Sequence, residues 1–113
     1  MHEVGIAQNI IEIVTEYSEK FVGGKISEVE LEIGSFSGVD LQTLEFALDI
    51  AKKNSVIENA RIKINYIEAK AKCIDCSKVF GLPDLFSQCP CCSSFRYDII
   101  GGRELKIKSI EIT

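Results

Sequence analysis

Apolar residues recur along this chain with two different periods, and each period predicts a different element. In residues 4–22 they repeat every three or four positions, which predicts an amphipathic helix. Gly23 and Gly24 follow this stretch and are typical of a helix end. The predicted buried stripe consists of Ile6, Ile10, Ile13, Val14, Tyr17 and Phe21.

Strict alternation replaces the helical period in residues 28–33 and again in residues 61–66. This pattern predicts two strands, the first with one acidic face and one apolar face. Between them, Asp40 is placed to cap a second helix. The predicted buried face of that helix consists of Leu41, Leu44, Ala47, Leu48 and Ala51.

The chain changes character after residue 70. Residues 71–98 are rich in cysteine, lack a helical period and are too short to bury a core, so a metal must stabilise them. Residues 105–112 alternate again with apolar residues at both parities, which predicts a central strand returning to the first sheet.

We therefore expect an α/β fold in which two helices pack on a small three-stranded sheet, with an inserted four-cysteine zinc-ribbon domain. Residues 1–70 plus 99–113 would form the α/β domain, and residues 71–98 the inserted domain.

Composition and charge narrow the function classes. Residues 1–70 carry 7 Lys and Arg against 12 Asp and Glu, and the whole chain has a net charge of −4, so no basic footprint for nucleic acid is present. No apolar run approaches the ~18 residues that span a membrane. Residues 1–15 are acidic and helical rather than an export signal, so we expect a cytoplasmic protein with reduced thiols.

Four of the five cysteines form two Cys-x2-Cys pairs, Cys73 with Cys76 and Cys89 with Cys92. Four thiolates suit a tetrahedral Zn²⁺ and leave no position open for a substrate, so the spacing predicts a structural zinc site. Iron in a rubredoxin-like electron carrier is the alternative for the same ligands, and its colour would distinguish it. Cys91 lies inside the second pair. Equal spacing of the pairs leaves it as a spare thiol, and exchange with a ligand is the alternative.

His2 is the only histidine and lies at the amino terminus, in Met1-His2-Glu3. A surface histidine there is usually unremarkable, but the α-amine, backbone amides and imidazole can chelate one ion together. Nitrogen-rich sites favour Ni²⁺ and Cu²⁺ over Zn²⁺. Such a site requires an unblocked amine.

Four features together resemble the HypA family, and the likeness covers almost the whole chain. They are Met1-His2-Glu3 opening a helix, Gly34 with Ser37-Gly38-Val39 after the acidic strand, the two cysteine pairs, and the closing segment of residues 102–111. The resemblance implies a nickel metallochaperone for [NiFe]-hydrogenase maturation, with a small α/β nickel domain and a protruding zinc domain. The implied partners are a HypB-type GTPase and a hydrogenase large-subunit precursor, with urease maturation proteins for some relatives.

The resemblance also implies the ligands. Nickel would be held by Met1, His2 and Glu3, where Glu3 acts through its backbone amide or its carboxylate. The implied structural zinc ligands are Cys73, Cys76, Cys89 and Cys92. Cys91 departs from the family pattern, in which a basic residue is common. For Asp40, helix capping is favoured over nickel ligation.

Two other function classes compete with this one. A zinc-ribbon module that binds nucleic acid or protein is the alternative, although the neutral ribbon and acidic body argue against nucleic acid. An enzyme is disfavoured because no nucleophile motif appears and the four-cysteine site is full. We expect no catalytic residues and no membrane partner.

Overall fold

A computed structural model describes residues 2–21 and 25–113 of the chain. Within these ranges the strands form two three-stranded sheets, and two helices accompany the first. The elements in chain order are α1 (Glu3–Ser18), β1 (Ile26–Gly34), α2 (Leu41–Ala51), β2 (Arg61–Ile67), β3 (Lys70–Cys73), β4 (Val79–Gly81), β5 (Tyr97–Gly101) and β6 (Leu105–Ile112). The sheet orders are β2-β1-β6 and β4-β3-β5. The predicted fold class is confirmed. No helix in this described part has the length and apolar character needed to cross a bilayer.

The chain divides into two compact units. The first comprises Met1–Glu32, Val39–Asn65 and Lys106–Thr113, and the second Ile33–Gly38 and Tyr66–Leu105. The second unit extends beyond the predicted limits of 71–98 because the loop after β1 is hydrogen-bonded into it. Phe36 N–H donates to the Gly102 carbonyl at 2.6 Å, and Ala69 N–H donates to Ser35 Oγ at 2.9 Å.

The two helices of the first unit are in contact, and each buries three apolar side chains. The buried residues are Ala7, Ile10 and Val14 on α1 and Leu44, Ala47 and Leu48 on α2. The α2 face agrees in part with the prediction, since Leu41 and Ala51 are only half-buried. Asp40 Oδ1 accepts from Thr43 N–H at 3.2 Å as the predicted cap.

The α1 prediction was wrong in part. The helix ends at Ser18 rather than near residue 22, and Gly23 and Gly24 lie outside the described residues. Ile13, Tyr17 and Phe21 are about half exposed, at 46%, 50% and 49%. The buried face of α1 is narrower than the apolar stripe, and these three side chains instead line an open groove beside β6.

Strand β1 has the two faces that its alternation predicts. Val29 and Leu31 are buried. The alternating glutamates of the strand face a row of cations on the neighbouring strands. The ion pairs are Arg61–Glu28, Lys63–Glu30, Lys106–Glu32 and Lys108–Glu30, at 3.3–3.8 Å. The charges of β1 are therefore neutralised across the sheet, although each pair is solvated and contributes little alone.

Strand β6 lies at an edge of its sheet, so the prediction that residues 105–112 form a central strand was wrong. Lys108 Nζ lies 3.8 Å from Glu30 Oε1, and Ser109 Oγ donates to Glu30 Oε2 at 3.1 Å. Successive side chains of a regular strand point to opposite faces. The alternation therefore shifts by one residue here, and this shift, not burial of both faces, explains the apolar residues at both parities.

The second unit is built on the central strand β3, which pairs antiparallel with β4 and β5. Its small core consists of Ala69, Ala71, Cys73, Phe80, Leu82 and Cys89. The Phe80 and Tyr97 rings meet edge to face with centroids 5.8 Å apart. Two of the six buried residues are cysteines of the predicted zinc site. The core and the sulfur cluster are therefore continuous.

Close backbone contacts also require glycine in this unit. Gly102 has a φ of 113°, and a Cβ there would overlap the Cα and Cβ of Ala69. A Cβ on Gly34 would overlap the Gly102 carbonyl. Only residues without a side chain fit both positions.

Candidate metal sites

The two cysteine pairs occupy matching turns in the second unit. In the first turn Cys73 N–H donates to the Lys78 carbonyl at 2.9 Å, and Ser77 N–H donates to the Cys73 carbonyl at 3.0 Å. The second turn repeats both bonds from Cys89 and Ser93, each at 2.8 Å. Ser77 and Ser93 adopt left-handed backbone conformations, with φ of 66° and 62°. Each turn therefore folds back on its first cysteine.

These turns bring four sulfur atoms together. The Sγ atoms of Cys73, Cys76, Cys89 and Cys92 all lie within 4.8 Å of one another. Cys73 and Cys92 are 3.5 Å apart, as are Cys76 and Cys89. A tetrahedral zinc with Zn–S bonds of about 2.3 Å requires sulfur separations of about 3.8 Å. The cluster therefore fits a four-thiolate zinc ion.

Backbone amides point at the sulfurs and lower the pKa of each thiol that they face, but the net shifts of Cys76 and Cys89 are opposite because the other causes differ. The Lys78 N–H donates to Cys76, but loss of hydration and the neighbouring thiols outweigh it and raise the pKa of Cys76 to about 12. Loss of hydration raises the pKa of Cys89, but the N–H groups of Cys92 and Cys91 and two thiols lower it to about 7. A four-thiolate site requires all four sulfurs to be deprotonated, so binding of a divalent ion must release protons.

Cys91 is exposed and is not one of the four residues whose sulfurs converge. Its backbone N–H instead faces the Cys89 sulfur. This placement agrees with the interpretation of Cys91 as a spare thiol beside the cluster.

Two of the residues predicted to hold nickel, His2 and Glu3, lie at the start of α1, in the first unit. His2 is the exposed N-cap residue, and its side chain makes no capping hydrogen bond to the helix. Glu3 Oε2 accepts from Asp40 N–H at 3.1 Å, and this bond and the amide of Glu3 itself lower the pKa of Glu3. Met1 lies outside the described residues.

Three polar residues around the cysteine turns escaped the sequence-based prediction. Asp75 lies between the cysteines of the first pair, and its carboxylate contacts Ser94 and Arg96, which follow the second pair. The available signal was an acidic residue inside one metal turn and a hydroxyl residue after the other. Neither signal is strong, because such residues are also common in exposed turns.

Comparison with known proteins agrees with the motifs. The family model for HypA, described as hydrogenase/urease nickel incorporation, metallochaperone, matches residues 1–112. Hydrogenase maturation factor HypA of Parabacteroides distasonis is 49% identical over 112 residues, covering 99% of this chain and 97% of that protein. The corresponding factor of a Nostoc species is 41% identical and covers 99% and 96%.

Solved structures give the same result for the fold. The solution structure of the Ni metallochaperone HypA from Helicobacter pylori matches with a TM-score of 0.66 at 27% identity, over 99% of this chain and 97% of that one. Another HypA solution structure matches with a TM-score of 0.70 at 29% identity, over 100% and 97%.

Fold and cysteine cluster together define a small α/β protein with a four-cysteine ribbon suited to a metal ion. The HypA family model also matches nearly the whole sequence. The chain belongs to the HypA family of nickel-incorporation metallochaperones.

Proposed function

We propose that this protein binds Ni²⁺ at its amino terminus and delivers it for [NiFe]-hydrogenase maturation, while a separate zinc ion in the cysteine ribbon has a structural role. The observation that carries this proposal is the match to the nickel-incorporation family over residues 1–112. It includes both the terminal Met1-His2-Glu3 and the complete set of four cysteines.

In this mechanism nickel is cargo and the first turn of α1 is its carrier. The α-amine of Met1, backbone nitrogens and the His2 imidazole supply the donors. His2 is suited to this role because its exposed side chain is not used to cap the helix. Nitrogen donors of this kind favour Ni²⁺ over Zn²⁺. An exposed site on the first turn of a helix allows the ion to leave again.

Glu3 contributes through its backbone rather than its carboxylate. Its Oε2 is already hydrogen-bonded to Asp40 N–H, at the N-terminus of α2. Helix N-termini carry partial positive charge, which stabilises a carboxylate there. The Glu3 side chain therefore positions the first turn of α1 against the first turn of α2.

The four thiolates of Cys73, Cys76, Cys89 and Cys92 hold zinc. When bound, that ion cross-links the two cysteine turns and stabilises a unit whose core has only six buried residues. A full set of four protein ligands leaves no coordination position for a substrate. The ribbon therefore has a structural role.

The proposed partners are a HypB-type GTPase and a hydrogenase large-subunit precursor, with urease maturation proteins as further clients, in the cytoplasm. This part of the proposal rests on family membership. Delivery requires a partner that receives nickel at the exposed end of α1.

Nickel calorimetry on protein with a native, tag-free start tests the terminal site. His2→Ala should abolish stoichiometric nickel binding and leave one zinc per chain, because the imidazole belongs to one site and the thiolates to the other. One residue added before Met1 should weaken nickel binding by moving the amine. Glu12→Ala, at an exposed position on the same helix, is the matched control and should bind like the wild type. If His2→Ala and the extended chain both bind nickel as the wild type does, the terminal site is refuted.

A further inference from the structure

The two cysteine turns are linked by a side-chain hydrogen bond as well as by their sulfurs. Asp75 lies directly before Cys76 in the first turn, and its Oδ2 accepts from Ser94 Oγ at 2.5 Å. Arg96 Nη1 lies 3.4 Å from the other carboxylate oxygen of Asp75. The three residues therefore form a polar bridge across 19 residues of sequence.

Backbone bonds hold the Ser94 end of this bridge in place. The Ser94 carbonyl accepts from Cys89 N–H at 2.8 Å, and Ser94 Oγ accepts from Arg96 N–H at 3.0 Å. Ile74 N–H donates to the Arg96 carbonyl at 2.9 Å. Ser94 is thus fixed to one cysteine pair through its backbone and to the other through its side chain.

The Ser94 hydrogen bond is the stronger part of the bridge. Arg96 has a 71% exposed side chain, so its ion pair with Asp75 is solvated and weak. The hydroxyl-to-carboxylate bond is also exposed, but it is charge-assisted, and such hydrogen bonds are about twice as strong as neutral ones. The Asp75–Ser94 bond therefore joins the two turns in addition to the Ile74–Arg96 backbone bond and the sulfur cluster.

A protein that handles nickel and also carries four clustered thiolates needs to keep nickel off the sulfur. Four thiolates can bind either metal, and geometry rather than raw affinity selects between them. Zinc accepts a tetrahedral arrangement readily, whereas Ni²⁺ favours planar or tetragonal sites. A bridge that holds the sulfur atoms near tetrahedral spacing therefore disfavours nickel binding at the four cysteines.

We propose that the Asp75–Ser94 hydrogen bond fixes the spacing of the two cysteine turns, slows zinc release and makes the ribbon prefer zinc to nickel. This inference rests on the zinc site of the proposed function. Asp75 and Ser94 are positioning residues, since they act through the cysteines and do not ligate the metal.

Zinc release to a chromophoric chelator tests the bridge in three variants: Asp75→Ala, Ser94→Ala and the double variant. The Asp75–Ser94 bond joins the two turns rather than a sulfur ligand, so its loss corresponds to one ordinary hydrogen bond, or about 2- to 10-fold in an equilibrium constant. We expect faster release of this size in each single variant and little further increase in the double variant. All three variants lose the Asp75–Ser94 bond, and the Arg96 contacts in which they differ are exposed and weak. Effects that multiply in the double variant would overturn the proposal.

The ratio of zinc to nickel bound by the cysteines is the second readout. General loosening of the fold would not change this ratio. With equal Zn²⁺ and Ni²⁺ added to metal-free protein, the thiolate-to-nickel charge-transfer absorption should rise in the single variants and stay low in the wild type. Ser94→Thr keeps the hydroxyl and should match the wild type. An unchanged zinc-to-nickel ratio in Asp75→Ala and Ser94→Ala would overturn the proposal.

Asp84→Ala is the matched control. Asp84 Oδ1 accepts from Phe86 N–H and Ser87 Oγ within one loop of the same unit, at 2.8 and 3.3 Å, but does not join the two turns. The Asp84→Ala variant should therefore release zinc at the wild-type rate. An effect equal to that of Asp75→Ala would contradict the bridge. Wild-type protein without zinc would refute the proposed zinc site, whereas zinc-loaded variants with wild-type release would refute the bridge alone.

Discussion

Glu30 is the most highly connected acidic residue on the outer face of the first sheet. Its carboxylate accepts from Asn65 Nδ2 at 2.7 Å and from Ser109 Oγ at 3.1 Å, and it lies near Lys63 and Lys108. The Asn65 and Ser109 hydrogen bonds, in that order, are the largest causes that hold the pKa of Glu30 below its usual value of 4.5. Hydrogen bonds to neighbouring strands thus lower the pKa of Glu30 more than the ion pairs do.

The lowered pKa of Glu30 predicts how the stability of the protein changes with pH. Because the folded-state pKa of Glu30 is lowered, its contribution to stability is present above the unfolded pKa and is lost as pH falls through the folded value. Asn65→Ala should raise the pKa of Glu30 towards 4.5 and reduce this acid sensitivity, measured by carboxylate NMR titration and by unfolding at several pH values. Lys63→Ala is the control and should shift the pKa less. A larger shift from Lys63→Ala would contradict the order of causes.

At the scale of elements, the two helices begin differently. Asp40 caps α2 through its side chain, whereas His2 precedes α1 without a side-chain cap. Loss of an N-cap hydrogen bond costs about 1 kcal/mol. Asp40→Ala should therefore lower the free energy of unfolding by about this amount, measured by urea denaturation of nickel-free protein. His2→Ala should cost much less, and equal losses from the two variants would contradict the assignment of the cap.

The strands and helices also differ in how well local pattern predicted them. The β1 alternation predicted both of its faces, because the strand has the regular period of two. Strand β6 misled the prediction because Lys108 and Ser109 both contact Glu30 and shift the period. On α1 the buried face is narrower than the apolar stripe, since burial depends on which part of the helix its neighbours cover. Pattern identifies an element, but its neighbours decide its burial.

For the whole molecule, removal of metal should affect the two units differently. The second unit has a six-residue core that includes two of the clustered cysteines, so chelation should unfold it. The helices of the first unit are buried against each other and should persist. Amide hydrogen exchange after chelation should therefore show lost protection in β3 to β5 and retained protection in α1 and α2. Equal loss in both units, or no loss in the second, would contradict this expectation.

The sequence by itself determined α1, β1, α2, β2 and β6, the four cysteines that cluster and the family, because periodicity and motif spacing are local properties of the chain. Strands β3 to β5 were not predicted, because the cysteine-rich segment has no clear period. Tertiary structure decided which strand lies at the edge, that Glu3 contacts the N-terminus of α2, and that Asp75 meets Ser94 across the two cysteine turns. Those contacts join residues far apart in sequence. Their geometry depends on how the chain folds back on itself, which no local pattern encodes.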